Sequence, residues 1–573
     1  MDEPDIPFLR SLDEDAAQAM RDRLASVVVA GGHTLFHEGD EADALYTLAS
    51  GAIGISRRDR RSGTIRRVAR LGPPVTVGEM ALLSEGPRSA TATALRDSHL
   101  YRLSREAFAE LVERHPSTML YFTRLLADRL RRADEAPVLD NSPRTFTVLP
   151  VTEGAFVDEV ARGFAHALTG RVGYLDTWPD DADETWFHRF ESSHDRVVYL
   201  ADEPGSAWTR LCLRRSDHVL LLAEAVRAPK PACVDLAART PSDWVRHDLV
   251  VVQAADAVMP RPPHPVFSGV PVSMRIHVRP GHAADFGRLG RLASGCARAV
   301  VLGGGGARGF AHLGVIRALE EAGLPIDAVG GTSMGAIVAA SLAMGWSQER
   351  ILDQTVASFV ARNPLNDYTL PVLALTRGTK VDEGLARTFA GVRIEDLWLP
   401  FFCVSSNLTT GTAMVHDHGD LVTALRASIA IPGLLPPVCT TDGILVDGGM
   451  MNNLPVDVMA ARQRGPVLGV DVASDLAFQT MPTRSWRGRM LRQWLGAPQE
   501  TPGIAQLLLR AATVSSDAQT ALASQHASVM LRPPLAGIDL RAWSSHATTA
   551  AIGHRHAVDQ IAAGALADWA EET

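Results

Sequence analysis

Ala299-Val300-Val301-Leu302-Gly303-Gly304-Gly305-Gly306-Ala307-Arg308-Gly309, followed by Asp327-Ala328-Val329-Gly330-Gly331-Thr332-Ser333-Met334-Gly335, decides how the C-terminal half of this chain folds. Twice a short apolar run ends in glycines and passes into a helical pattern, which predicts two buried strands that each turn tightly into a helix. In the second corner Ser333 lies at the centre of G-x-S-x-G, where flanking glycines remove the Cβ atoms that would crowd a strained strand-to-helix turn. The polyglycine loop can bring backbone N–H groups close to a substrate oxygen. A hydroxyl beside such donors is the beginning of an acyl-transfer site.

A glycine loop after a strand also suits a nucleotide phosphate. A P-loop needs Gly-Lys-Ser or Gly-Lys-Thr, and the two lysines, Lys230 and Lys380, follow Pro229 and Thr379. A dinucleotide fold wants an acid at the end of the next strand, where this chain has the serine turn. The third element is Asp447-Gly448-Gly449, which ends the apolar run Gly443-Ile444-Leu445-Val446. A carboxylate placed there can take the serine proton and return it to the leaving group without a histidine. Asp-Gly is also a hairpin turn signal. His312, His526, His546, His554 and His556 are available to a rival triad, but His312 reads as a packed residue and the others fall in an Ala-rich helical tail.

The loop, the serine turn and the aspartate resemble the three signatures of patatin-like phospholipases over roughly residues 298–473. Arg426-Ala427-Ser428-Ile429-Ala430-Ile431-Pro432-Gly433 and Asn452-Asn453-Leu454-Pro455 resemble the segments that flank the aspartate in that family. The resemblance implies Ser333 as nucleophile, Asp447 as base, and the backbone of Gly304, Gly305, Gly306 and Arg308 as the oxyanion region. No cofactor and no metal are required by such chemistry.

A chain of 573 residues holds about three domains. Its formal net charge of -9 gives no electrostatic footprint for nucleic acid. The five cysteines, Cys212, Cys233, Cys296, Cys403 and Cys439, are scattered without metal-ligand spacing, which fits a reducing cytoplasm. Scarce lysine beside abundant Arg, Ala and Gly suggests a GC-rich bacterial genome. Met1 to Arg10 has no apolar core, so no signal peptide or anchor is expected there. The uncharged run Ala328 to Gln348 reads as the serine turn and its helix rather than a membrane span.

Residues 6–135 form a separate unit. Gly31 to Asp40 and Ala44 to Ile53 alternate strand-like pairs with glycine turns, as a small β-roll does. Val77-Gly78-Glu79-Met80 and Gly86-Pro87-Arg88-Ser89-Ala90 then offer a short helix start beside one arginine, a site for one phosphate, with Glu79 able to accept from a ribose hydroxyl. This region resembles a cyclic-nucleotide-binding domain. Gly78, Glu79, Arg88 and Ser89 are the contacts implied, with cAMP or cGMP as the effector and the choice between them open. A helix from Ser104 to Arg132 is expected to follow.

An Asp/Pro/Asn-rich linker, Ala136 to Pro143, leads to residues 144–280. Apolar runs at Phe146–Leu149, Val172–Leu175, Val197–Leu200, Val219–Leu222 and Leu249–Val252 alternate with helical stretches such as Ala155–Leu168, so a degenerate parallel α/β domain of Rossmann or P-loop-like type is expected. The catalytic domain is placed at 298–475, as an α/β/α layer, and a helical C-terminal extension at 476–573. The whole order resembles neuropathy target esterase and its bacterial relatives, which implies lysophospholipid or phospholipid as substrate. Trp486, Met490 and Trp494 at helical spacing, beside Arg487, Arg489 and Arg492, suggest either peripheral contact with the inner membrane face or ordinary packing. Two other readings stay open: a nucleotide-sensing regulator with a vestigial hydrolase, and a triad carboxylesterase for soluble esters. The oligomeric state is open as well, a homo-oligomer included.

Overall fold

The computed structural model describes residues 6–12, 14–58, 65–84, 86–116, 118–134, 143–154, 156–230, 245–361, 366–370, 374–473 and 519–570. Two compact units are present, one taking in most of the chain up to Gly295 and the other most of it from Cys296 onward. The expected linker, Cys233 and the Arg484–Leu495 face lie largely or wholly outside the described residues.

In the first unit, antiparallel strands Ala44–Arg58 and Thr91–Ser104 form the spine of a six-stranded roll. Successive side chains of a strand point to opposite faces. Ala44, Tyr46 and Leu48 therefore enter one apolar cluster with Ile53 and Leu100, while Leu45 enters another with Phe8, Phe108 and Phe122. The single helix expected from Ser104 is corrected to two, Arg105–Arg114 and Thr118–Asp134. Ser104 caps the first by accepting from the Ala107 N–H. His115 leaves helical geometry at φ -129° and ψ 73° because Pro116 follows it, and the proline ring disfavours a helical residue before it.

The same unit contains the α/β layer. Strands Thr145–Pro150, Val172–Leu175, Arg196–Leu200, His218–Glu224 and Arg246–Val252 coincide with the five expected runs. Their order places Thr145–Pro150 between His218–Glu224 and Arg196–Leu200, and all four pairings are parallel. Buried Arg96 of the roll reaches Glu191 at 2.8 Å and Asp217 at 3.1 Å in this layer. Nothing in the local sequence announces that network.

The second unit is built on an eight-stranded mixed sheet. Ala299–Leu302, Ala328–Thr332, Phe401–Asn407 and Val467–Val470 run parallel through its centre. Gly443–Asp447 joins antiparallel to Phe401–Asn407, with Asp447 opposite Ser405. Because Val404 is in turn opposite Thr332, the end of that antiparallel strand arrives beside the end of the serine strand. The C-terminal extension is not purely helical: Val529–Leu531 adds a parallel strand next to Val467–Val470. Three residues are too few to show a strand period in sequence.

Helix His546–Ala562 covers helix Phe310–Glu321 at backbone contact. A Cβ at Gly314 would come within 2.0 Å of Ala550 O, and one at Gly553 within 2.1 Å of Ala311 O, so both glycines are needed for the close approach. Among the described residues no helix is long and apolar enough to cross a membrane.

Candidate active site

Ser333 joins strand Ala328–Thr332 to helix Met334–Ala343. Its φ of 54° and ψ of -123° lie where a non-glycine residue is rare, a strain of about 1–3 kcal/mol that the surrounding fold must offset. Part of that support is visible. The Ser333 N–H donates to Ser428 Oγ at 3.0 Å, and Ser428 Oγ donates onward to Val404 O at 2.7 Å. The corner is thus tied to the neighbouring strand, and the partial positive charge of the helix N-terminus faces the hydroxyl.

Ser333 Oγ donates to Asp447 Oδ2 at 2.8 Å. The other oxygen, Oδ1, accepts the Gly449 N–H at 2.8 Å, which fixes the carboxylate plane. Burial pushes the Asp447 carboxyl up to about 6, outweighing the two donors that hold it down. A carboxylate with that affinity is ionised at neutral pH and still able to take a proton.

The glycine loop lies against the serine: a Cβ at Gly304 would be 3.1 Å from Ser333 Cβ. Asn453 clamps Gly304 from both sides, its carbonyl accepting the Gly304 N–H at 3.1 Å and its Nδ2 donating to Gly304 O at 3.2 Å. His312 Nε2 donates to Gly303 O at 2.8 Å. Burial lowers that imidazole to about 4, so it is neutral at pH 7 and acts as a brace. On the far side the C-terminal extension holds the loop, with Leu540 O accepting from the Ala307 N–H at 2.8 Å and Ile538 O from Arg308 Nε at 2.9 Å.

The four amides of the expected oxyanion region are not equivalent. Those of Gly304 and Arg308 already donate to Asn453 O and Gly305 O. Those of Gly305 and Gly306 have no acceptor among the described residues. Two of the four tail histidines are engaged elsewhere: His554 pairs with Glu321 at 2.7 Å, and His546 packs on Phe310. Ser428 and Asn453 stood inside quoted segments, yet their positioning contacts span 95 and 149 residues and had no local signal.

In the roll, Gly78, Glu79 and Arg88 come together and Ser89 is exposed. Glu79 and Arg88 are buried. Arg88 is already engaged, donating to Gly78 O at 3.0 Å, Ala44 O at 2.7 Å and Asp43 Oδ1 at 2.9 Å, with its guanidinium 4.2 Å over the Phe36 ring. It is not an open arginine waiting for a phosphate.

Comparison with known proteins agrees with this architecture. Residues 300–460 match the patatin-like phospholipase family, residues 26–115 the cyclic nucleotide-binding domain, and residues 182–259 the P-loop like domain of the neuropathy target esterase family. Fold and match define the class: a patatin-like phospholipase, hence an ester hydrolase. An uncharacterised NTE family protein of Mycobacterium tuberculosis is 32% identical over 526 residues, covering 88% of this chain and 86% of that one. The chain belongs to the neuropathy target esterase family. It is also 29% identical to mouse patatin-like phospholipase domain-containing protein 7 and to the lysophospholipase nte1 of Neosartorya fischeri, spanning 38% and 35% of their lengths.

Proposed function

We propose that this chain hydrolyses acyl ester bonds of lysophospholipids or phospholipids through a Ser333–Asp447 dyad. The observation that carries this reading is the 2.8 Å hydrogen bond between Ser333 Oγ and a buried, proton-avid Asp447. Oγ attacks the acyl carbonyl carbon while its proton passes to Asp447 Oδ2. The developing oxyanion is held by the Gly305 and Gly306 amides, while Gly304 and Arg308 shape the loop. Collapse of the tetrahedral intermediate breaks the ester C–O bond, and the departing alkoxide takes the proton from Asp447. Water then gives a proton to Asp447 and attacks the acyl-enzyme. Its collapse frees the fatty acid, and Oγ regains the proton. The lipid substrate is supported by the class and by the fungal relatives' name, lysophospholipase.

The remaining parts of the proposal are regulatory and topographic. The roll takes cAMP or cGMP at Gly78, Glu79, Arg88 and Ser89, and the phosphate must win Arg88 from Asp43. The division into residues 6–135, 144–280, 298–475 and 476–573 separates sensor, α/β layer, hydrolase and extension. The protein works in the cytoplasm, in peripheral contact with the inner membrane face. Purified protein is to be assayed on lysophosphatidylcholine and a short-chain ester, with and without each nucleotide, beside Ser333→Ala and Asp447→Asn. Full activity in both variants overturns the dyad. Tight nucleotide binding without any change in rate overturns the regulation.

A further inference from the structure

Over residues 56–69 the sequence has six arginines and one aspartate, in a chain whose formal net charge is -9. The fold sets this local excess apart. Strand Ala44–Arg58 pairs with Thr91–Ser104 only as far as Ser56, opposite Thr91. Beyond that point Arg57 and Arg58 pair with strand Ile65–Leu71 alone, Arg57 opposite Arg66 and Arg58 opposite Ile65, so a two-stranded ribbon runs out of the roll. Its base is anchored. Ile53, buried in the apolar cluster of the roll, pairs with Leu71, which packs against the same cluster. Farther out Arg57 and Arg58 are exposed, Ile65 is 70% exposed and Val68 37%. Residues 59–64, between the two strands, lie outside the described residues.

These residues do little for the fold itself. Like charges placed directly opposite weaken an antiparallel pair, yet Arg57 stands opposite Arg66 in register. Neither Arg57 nor Arg58 has an ion-pair partner among the described residues. Glu38 touches this stretch through the Arg58 backbone N–H, which donates to its Oε2 at 2.8 Å. Arg70, nearer the base, differs in being paired with buried Asp217. A cationic ribbon with exposed aliphatic residues between its arginines has the composition of an element that meets phosphate groups above hydrocarbon.

We infer that this ribbon docks the protein on an anionic phospholipid bilayer, with its arginines at the lipid phosphates and Ile65 at the acyl boundary. The choice of a bilayer rests on the lipid-hydrolase reading above and on the exposed aliphatics: a nucleic acid would engage the arginines and leave Ile65 and Val68 in water. The net negative charge of the whole chain opposes approach to such a surface, so a local cationic element is what makes contact possible.

Binding is measured by co-sedimentation in Ser333→Ala protein, which leaves the lipid intact, with vesicles of phosphatidylcholine alone and of phosphatidylcholine mixed with phosphatidylglycerol. The mixed vesicles are expected to bind the chain, and salt to weaken the binding. Arg57→Gln, Arg58→Gln, Arg66→Gln and Arg67→Gln together are expected to weaken it about a hundredfold or more, at about fivefold per cation near the surface. Ile65→Ser alone should cost about tenfold, and the same four arginines changed to lysine should keep most of the binding. Equal binding by the native-ribbon and glutamine proteins, equal binding to both vesicle types, or a lysine set as weak as the glutamine set overturns the inference. Tighter binding to a DNA duplex than to the mixed vesicles, lost in the glutamine set, gives the ribbon to nucleic acid and overturns it too. A dimer that the glutamine set dissolves does the same in favour of a second copy. With Ser333 restored, the glutamine set is expected to turn over p-nitrophenyl butanoate at the native rate, which verifies its fold. If the native chain turns over no ester, the hydrolase reading fails and sedimentation judges the ribbon on its own.

Discussion

The hydrolase centre and the nucleotide cassette both carry complete motifs, yet their polar groups stand in opposite states. Around Ser333 the fold engages everything that must stay still, namely the Ser333 amide on Ser428, Gly304 on Asn453 and Gly303 on His312, and among the described residues it leaves the Gly305 and Gly306 amides without acceptors. Around Arg88 the fold engages the very group a phosphate would need, through Asp43, Ala44 and Gly78. A motif names the residues of a site. Geometry decides whether their hydrogen-bonding capacity is open to a ligand, because a donor already satisfied must break a bond before making another.

Substitutions can break this comparison at graded strength. Ser333→Ala removes the nucleophile and is expected to lower kcat on lysophosphatidylcholine by at least about 10⁴-fold, measured in steady state. Asn453→Ala deletes the side-chain half of the Gly304 clamp. A loop released by a fraction of an ångström should lose roughly 10- to 100-fold in kcat with little change in KM. An unaltered kcat there would mean that the loop needs no clamp. In the roll, Asp43→Ala frees Arg88 from its exposed ion-pair partner. Titration calorimetry with cAMP and cGMP should then give roughly two- to fivefold tighter binding, the scale of a surface pair. Weaker binding would mean that Asp43 orients Arg88 for the ligand rather than competing with it.

Much of the fold was legible because its signals are local. The two glycine corners, the strand ending at Asp447 and five of the six strands of the α/β layer each announce themselves within about ten residues by apolar runs and turn residues. The break at Pro116 was equally local, and the periodicity carried across it misjudged the helix. What stayed hidden is long-range or very short. Ser428 and Asn453 act through contacts that only the sheet order creates, and Val529–Leu531 is too brief to show a period. The occupied state of Arg88 was hidden for the same reason: Asp43 lies 45 residues away, on no motif.

The central claim, that a buried aspartate alone serves the serine, is tested most directly by the pH dependence of kcat/KM for lysophosphatidylcholine in native protein and in Asp447→Asn. Protonated Asp447 cannot accept the Ser333 proton. The native rate should therefore be full above about 6 and fall about tenfold per pH unit below it, with a single proton. Asp447→Asn should be at least about 10⁴-fold slower at neutral pH. Near-native turnover by Asp447→Asn, with the same acid limb retained, would contradict the account and assign the base to another residue.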